Sequence, residues 1–572
     1  MFTVDSPEVI AACERLGWPG LRDAQKSVVG PLLEGKDVLG VLPTSAGKSA
    51  TFQVPALLVE GLTVVISPLI ALMIDQVETL VHKGIEAAAL HSHTSASERK
   101  RTLDRISSGT LKLLYVSPER TQGLDAVFFK GSRIARIAVD EAHCISEWGH
   151  DFRPAYLRLG RNLRRIVPAD QPPPQILALT ATATGEVIDE IARVLAMPGR
   201  PPMTRVIHSP ERGNLFYGVA GRDVSLLRLI GRAEERVGLP CLVYGSTRNG
   251  VEIAAEELRR AGYKAQHYHA EMGGEARLDV QARFANGDLD VIAATCAFGM
   301  GIDNRRLRAV IHTEMSTSLE AYLQEAGRAG RDGRPSIAIC RATEETLDVA
   351  ASLVPASWPT PERVRRFWQL CEPAFSARPG KAEPEGEWSV TTSDLVRSTG
   401  YDEIEAQSAL RILVDAGFLS RVSATERPCK VVLLSGAGRV RGPRQLEVLD
   451  ALADRADLNG EVQGSTSFFS TSIGMDKAMA DALVERGAIR VVWAESGTLL
   501  RRMSDGPPKL DDAKIRAIAR RQLSRIEAAR GYLYASGCRR SYLLDYFGPE
   551  FLATADPSHC CDRCTGGFGR RA

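Results

Sequence analysis

"DVLGVLPTSAGKS", residues 37–49, decides the fold. A short run apolar on both faces ends at Leu42 and Pro43, a turn of small and hydroxyl residues follows, and Lys48 and Ser49 open a segment of helical period. That order reads as a strand, a phosphate loop and a helix N-terminus, where backbone N–H groups converge on anionic oxygens. Thr44, Ser45, Ala46, Gly47 and Lys48 form the candidate cradle. Lys48 is set to neutralise β- and γ-phosphates, and the Ser49 hydroxyl to hold Mg2+. The general pattern has a glycine five residues before Gly47. Leu42 stands there instead, so on this stretch alone an accidental Gly-Lys-Ser turn is a rival.

Working outward, short apolar runs alternate with helical segments from 37 to about 341, among them "TVVISP", "LKLLYVSP", "IARIAVDE", "QILALTA", "PCLVYGS" and "PSIAICR". Strands apolar on both faces belong to parallel sheets covered by helices on each side, so the fold class is α/β. The loop "MPGRPPMT" (197–204) divides the region into two lobes, predicted as 1–202 and 203–345. Two consecutive lobes of this kind predict a ligand in the cleft between them.

A second apolar strand ends in Asp140 and Glu141, which supplies what a phosphate loop lacks. Asp140 can complete a Mg2+ shell while Glu141 positions or deprotonates the attacking water. Lobe two contributes "QEAGRAGRDG" (324–333), in which Gln324, Arg328 and Arg331 are catalytic candidates. The two arginines, three apart at a helix end, are expected to reach across the cleft to transition-state charge. Together the three elements predict nucleoside triphosphate hydrolysis.

The totals set bounds. A chain of 572 residues exceeds one core and predicts three to five domains at about 100–200 residues each. A net charge of +2 means that a polyanion must be met by local patches such as "RLGRNLRR" (158–165) and "RAIARRQLSR" (516–525). No window reaches the ~18 uninterrupted apolar residues of a membrane span, and the start lacks a basic segment followed by an apolar one. A cytoplasmic protein with no membrane association is expected. Most of the 11 cysteines sit singly in apolar runs and read as buried thiols.

After 345 the character changes. "TTSDLVRSTGYDEIEAQSALRILVDAGFLSRV" (391–422) reads as two short helices and a strand, the layout of a winged helix. "MADALVERGAIRVVW" followed by "GTLLRRM" repeats that order. The predicted modules are a linker plus winged-helix-like domain at 346–440, a second winged-helix-like domain at 441–510, and a helical zinc-binding module at 511–572.

The order and wording of these segments resemble superfamily 2 helicases and, within them, the RecQ family. "LGWPGLRDAQ" (16–25), "PTSAGKS", "SPLIALMIDQV" (67–77), "YVSPER" (115–120), "DEAH", "ALTATA" (178–183), "YHA" (268–270), "ATCAFGMGID" (294–303) and "QEAGRAGRDG" follow in family order over roughly 16 to 341. The resemblance implies two tandem RecA-like lobes and an adenine-reading role for Arg22 and Gln25. It also implies 3′-to-5′ movement on single-stranded DNA. Ser67, Pro68, Thr180, Thr182 and Thr295 are the expected contacts to the DNA backbone. Ser45 departs from the family's usual glycine and Glu147 from its usual glutamine.

The carboxylate pair runs directly into "CISEWGHDFRP" (144–154), similar to the aromatic-rich loop that couples DNA binding to hydrolysis in that family. Trp148 and Phe152 offer faces for base stacking, worth about 1–3 kcal/mol each, and His150 and Arg153 can meet phosphates. The competing reading is that the two aromatics fill core beside the sheet. "GHD" between them interrupts apolar packing and favours the first.

Near the end, "CRRSYLLDYFG" (538–548) precedes "DPSHCCDRC" (556–564). Cys561 and Cys564 have the two-residue gap that lets both thiolates reach one Zn2+, Cys538 is the distant third ligand, and Cys560 is the choice for the fourth with His559 as its rival. Redox-sensing thiols are the alternative. A zinc module this late in the chain departs from most RecQ relatives and is similar to an RqlH-like bacterial branch. The expectation is an ATP-dependent DNA helicase acting in repair or recombination, using ATP, Mg2+ and Zn2+. It would act as a monomer on single-stranded and tailed duplex DNA. The rivals are a DNA-stimulated ATPase switch without strand separation and an RNA helicase.

Overall fold

The computed structural model describes residues 2–567 except 45, 147–153, 158, 169–170, 300–303, 377–386, 422–427, 435–439, 441, 457–459, 494–497, 549–550, 552–555 and 557–558. The chain forms two compact units, Met1–Ala350 with Ser524–Ala572, and Ala351–Leu523.

In the first unit the apolar runs become β1 Val38–Val41, β2 Leu62–Ile66, β3 Ala87–Leu90, β4 Leu113–Val116, β5 Ile134–Val139, β6 Gln175–Thr180 and β7 Thr204–Ile207. They form one sheet in the order β3-β4-β2-β5-β6-β1-β7, with every pairing parallel. β1, β2 and β6 are buried along their whole length, because helices cover both faces of the sheet. One apolar cluster gathers Val64, Ile137 and Ile191, and the other gathers Val28, Val54 and Leu177. β7 pairs with β1 from Val38 and Thr204 to Val41 and Ile207. The first lobe therefore continues past the boundary expected at 202; the Pro- and Gly-rich loop there leads into an edge strand of the same sheet.

A second sheet comprises β8 Leu215–Ala220, β9 Cys241–Tyr244, β10 Ala265–Tyr268, β11 Val291–Ala294, β12 Ala309–His312 and β13 Ser336–Arg341. Its order is β10-β11-β9-β12-β13-β8, again wholly parallel. The expected α/β class with two tandem parallel-sheet lobes is the observed one. Ser524–Ala572 belongs to the same unit and packs on β8: Tyr217 N donates to Cys560 O at 3.2 Å, and Asp562 N donates to Tyr217 O at 3.0 Å. The late cysteine cluster is thus returned in space to the second lobe, although nearly 200 residues of sequence intervene.

The second unit has two small antiparallel sheets. β14 Glu387–Val390 and β15 Leu419–Arg421 both pair with β19 Thr498–Arg502, while β16 Pro428–Leu433 pairs with β17 Glu461–Ser465 and β18 Ile489–Trp493. Helices Thr392–Thr399 and Glu403–Asp415 precede β15 as expected, each started by a side chain (Thr391, Asp402) that accepts from a first-turn N–H. The two modules are nested rather than consecutive, contrary to the 346–440 and 441–510 division. β16 belongs to the inner module, and β19 returns to complete the outer one. Short strands with exposed edges must find partners wherever the chain supplies them, and here the partner is about 80 residues downstream.

Candidate nucleotide site and cysteine cluster

In an all-parallel sheet every strand delivers its following loop to the same edge. β6 lies between β5 and β1, with Val139 opposite Ala178 and Val41 opposite Thr180. The topology therefore sets Asp140 and Glu141, Thr180, and the 44–49 loop side by side.

At that edge Lys48 Nζ donates to Glu141 Oε1 at 3.0 Å. The pair is mostly buried, with side-chain exposures of 13% and 14%. Burial alone would favour the neutral forms. The carboxylates of Glu141 and Asp140 outweigh it and hold Lys48 above its usual range, while Lys48 and His143 hold Glu141 well below the carboxylate range. Asp140 moves the other way, raised to about 6 by burial and by the Glu141 charge beside it. The two neighbouring carboxylates are thus pushed apart, and Glu141 is the first of the pair to lose its proton.

Glu141 adopts φ 48° and ψ 47°, the one non-glycine residue in the left-handed region among the described residues. Such a conformation costs about 1–3 kcal/mol and persists only where the surroundings over-determine it. Here they do: Glu141 N donates to Asp140 Oδ1 at 3.0 Å, Lys48 holds one carboxylate oxygen, and His143 Nδ1 lies 3.4 Å from the other. His143 also meets Thr180 Oγ1 at 3.0 Å, and Thr180 donates to Thr182 O at 3.1 Å. Tyr156 OH donates to Asp140 O at 3.1 Å. Sequence reasoning missed His143 and Tyr156 as parts of this corner. His143 was available in "DEAH"; Tyr156 had no signal.

Gln25 and Arg22 arrive at the phosphate loop together. Gln25 Oε1 accepts from Arg22 N at 2.8 Å, and its amide donates to Ala46 O at 2.8 Å and Gly47 O at 3.0 Å. Gly47 has φ +75°, a conformation that calls for glycine, and a Cβ there would displace Gln25 Nε2, 2.7 Å away. Ser49 stands at the start of helix Ala50–Leu58. Ser45 lies outside the described residues.

The second lobe meets the loop through Thr44, whose Oγ1 donates to Gly327 O at 3.2 Å. The helix of the "QEAGRAGRDG" segment, Leu319–Ala326, stops before the arginines. Arg328 and Arg331 consequently sit on the turn that follows, not on one helix face. Arg328 is buried within lobe two and donates to Gly299 O. Arg331 is close enough for its charge to oppose protonation of Lys48. Gln324 is half-buried on the last turn of the helix.

The expected DNA contacts divide. Ser67 and Thr182 are buried, with hydroxyls that find no partner among the described residues, and Pro68 follows Ser67 at the same edge. Thr295 is half-buried, its N–H donating to Tyr268 O at 3.1 Å. Thr180 is 0% exposed, and its hydroxyl is enclosed by His143 and Thr182, so it serves the carboxylate corner and offers nothing to an external phosphate. Trp148, His150, Phe152 and Arg153 lie outside the described residues.

The cysteine cluster assembles as read. Cys538, Cys560, Cys561 and Cys564 place all four sulfurs within 4.8 Å of one another. Sγ–Sγ separations are 3.4 Å for Cys538 and Cys560, 3.5 Å for Cys561 and Cys564, and 3.9 Å for Cys538 and Cys561. Tetrahedral Zn–S bonds of about 2.3 Å require sulfurs about 3.8 Å apart, so the set fits zinc with little adjustment. His559 is excluded from it: its Nε2 lies 3.2 Å from Asn214 O, and its ring faces Phe216. Arg539 and Arg540, each 1% exposed, follow Cys538. Arg539 pairs with Asp562 at 2.6 Å, and Arg540 donates to the carbonyls of Arg212 at 2.8 Å and Leu215 at 2.5 Å.

Residues 22–191 match the family model described as DEAD/DEAH box helicase, 223–333 the helicase conserved C-terminal domain, and 498–565 the RecQ zinc-binding model. The chain is 41% identical over 326 residues to the ATP-dependent DNA helicase RecQ of Pasteurella multocida, covering 56% of this chain and 50% of that protein. It is 35% identical over 359 residues to the probable ATP-dependent DNA helicase RecS of Bacillus subtilis, covering 62% of this chain and 71% of that protein. The chain spans about half the length of the RecQ proteins it matches. Among solved structures, the DUF1998 helicase MrfA bound to DNA shares the fold at 18% identity and a TM-score of 0.50, over 74% of this chain and 62% of that one.

Proposed function

Because this chain belongs to the RecQ family of superfamily 2 helicases, we propose that it is an ATP-dependent DNA helicase that moves 3′ to 5′ on single-stranded DNA and parts duplexes. The observation that carries the reading is the buried Lys48–Glu141 pair beside Asp140, closed over by a lobe-two loop through Thr44 and Gly327. In this reading ATP replaces Glu141 as the partner of Lys48. Asp140 and Ser49 are the residues to hold Mg2+, which when bound would neutralise phosphate charge. Glu141, kept anionic by its surroundings, orients the attacking water and accepts its proton, and Arg331 meets the charge developing on the γ-phosphate. Since Thr44 and Gly327 join the lobes at the phosphate loop, a change at the nucleotide changes how the lobes are held, and alternating grip on DNA becomes movement.

The aromatic residues of 148–152 are proposed as the link between DNA and the carboxylates, because they follow Glu141 so closely in the chain. Zinc on the four cysteines has no open position for substrate and is proposed as structural, at about 10–16 kcal/mol of apparent folding energy. No helix among the described residues is long and apolar enough to cross a membrane. We place the protein in the cytoplasm, as a monomer acting in repair or recombination.

The test is a labelled duplex carrying a single-stranded tail of either polarity. ATP-dependent strand release from the 3′-tailed form supports the proposal. DNA-stimulated hydrolysis without release from either form would identify a switch, and stimulation by RNA in preference to DNA an RNA helicase; either result refutes it.

A further inference from the structure

Arg212 lies in none of the segments that form the nucleotide site, yet its guanidinium is the point on which the Gly327–Arg331 loop converges. Its Nη1 donates to Gly327 O at 3.2 Å, and its Nη2 donates to Ala329 O at 3.2 Å and Gly330 O at 2.5 Å. Three carbonyls drawn to one side of a tight turn repel one another, and a buried cation among them removes that repulsion. Gly327 O also receives Thr44 Oγ1, so the carbonyl that touches the phosphate loop is the one Arg212 holds. Gly330, with φ +64°, then turns the chain directly into Arg331. The charge of Arg331 opposes protonation of both Arg212 and Lys48.

Arg212 is itself fixed. It is 9% exposed, and its carbonyl accepts from Leu215 N at 2.9 Å and from Arg540 Nη1 at 2.8 Å. A continuous path of hydrogen bonds therefore runs from the residue two after Cys538, through Arg212, to the loop carrying Arg331 and to Thr44.

We propose that Arg212 is a positioning residue for the hydrolysis, holding the Gly327–Arg331 turn so that Arg331 is presented to the γ-phosphate bound at Lys48. The proposal rests on the nucleotide site described above. Its chemistry is specific to arginine, since a planar fork of five N–H donors spans three carbonyls and an ammonium ion does not.

The experiment uses the full chain, with Arg212→Met, Arg212→Lys, Arg331→Ala and the Arg212→Met/Arg331→Ala double variant. DNA-stimulated ATP hydrolysis is measured beside the Kd of N-methylanthraniloyl-ATP and the melting temperature. Arg212→Met and Arg212→Lys are expected to lose about 10–100-fold in kcat with Kd unchanged within about threefold, and the double variant is expected to be no slower than Arg331→Ala. A merely structural role gives another pattern: Kd and melting temperature fall in step with kcat, and the losses multiply in the double variant. Either of those results, or full turnover in Arg212→Met or in Arg331→Ala, overturns the proposal. Undiminished turnover in Lys48→Ala would instead remove the nucleotide site on which it rests, so the two failures are distinguishable.

Discussion

Replacing Lys48 by alanine tests the centre of the site. In the structure Nζ lies 3.0 Å from Glu141 Oε1, and the exposures of 13% and 14% leave little water to screen the pair. At an effective dielectric constant of about 20 the gross attraction at that separation is roughly 5 kcal/mol. Breaking a buried pair by removing one partner costs about 3–5 kcal/mol, because the remaining charge is stranded. A phosphate that takes the place of Glu141 meets the same geometry, so the same range applies to transition-state charge. At 1.36 kcal/mol per decade this corresponds to about a 10²- to 10⁴-fold loss of turnover. DNA binding, which draws on other surfaces, should change little. The assay is ATP hydrolysis at saturating DNA, with fluorescence anisotropy of a labelled single strand measured in parallel. Turnover within about tenfold of the native protein would refute the assignment of Lys48, and an equal loss in anisotropy would refute its restriction to the nucleotide.

Further outcomes follow from individual residues. Asp140, raised to about 6 from 3.8, costs folding energy when ionised; the cost is absent below about pH 4, grows as pH rises from about 4 to 6, and is full above that. Asp140→Asn should therefore be more stable than the native chain at pH 8 by about 1–3 kcal/mol and equal to it near pH 4; urea melts at both values check the sign. One zinc per chain is expected by metal analysis, and Cys561→Ser should lose it and lower the melting temperature, whereas His559→Ala should keep the metal. Trp148→Ala should retain basal hydrolysis and lose stimulation by DNA; stimulation intact to within about twofold would return that residue to a packing role. Replacing residues 428–493 by a short Gly-Ser linker should leave the outer module of the second unit folded by circular dichroism, since Leu419 and Arg502 are already paired across β15 and β19.

The sequence by itself determined the α/β class, the two lobes, the loop at Thr44–Ser49, the carboxylates at 140 and 141 and three of the four sulfurs, because each rests on local spacing: an apolar strand, a turn and a charged residue at its end. The choice of Cys560 over His559 came from the structure. Periodicity says which faces are buried, and a two-residue gap says which thiolates can share an ion. It could not say that β7 joins the first sheet, that β19 closes the outer module around an inserted one, or that Thr180 is enclosed by His143, since those are pairings between segments distant in the chain. Only the tertiary structure separated Arg328, which turns inward to Gly299, from Arg331, which bears on Lys48. It alone brought the cysteine cluster back to lobe two and set Arg212 beneath the arginine turn. The physical reason is common to all of these: a buried donor or acceptor must be satisfied by whatever group the fold brings near it, and that group is chosen by three-dimensional proximity, which sequence spacing does not encode.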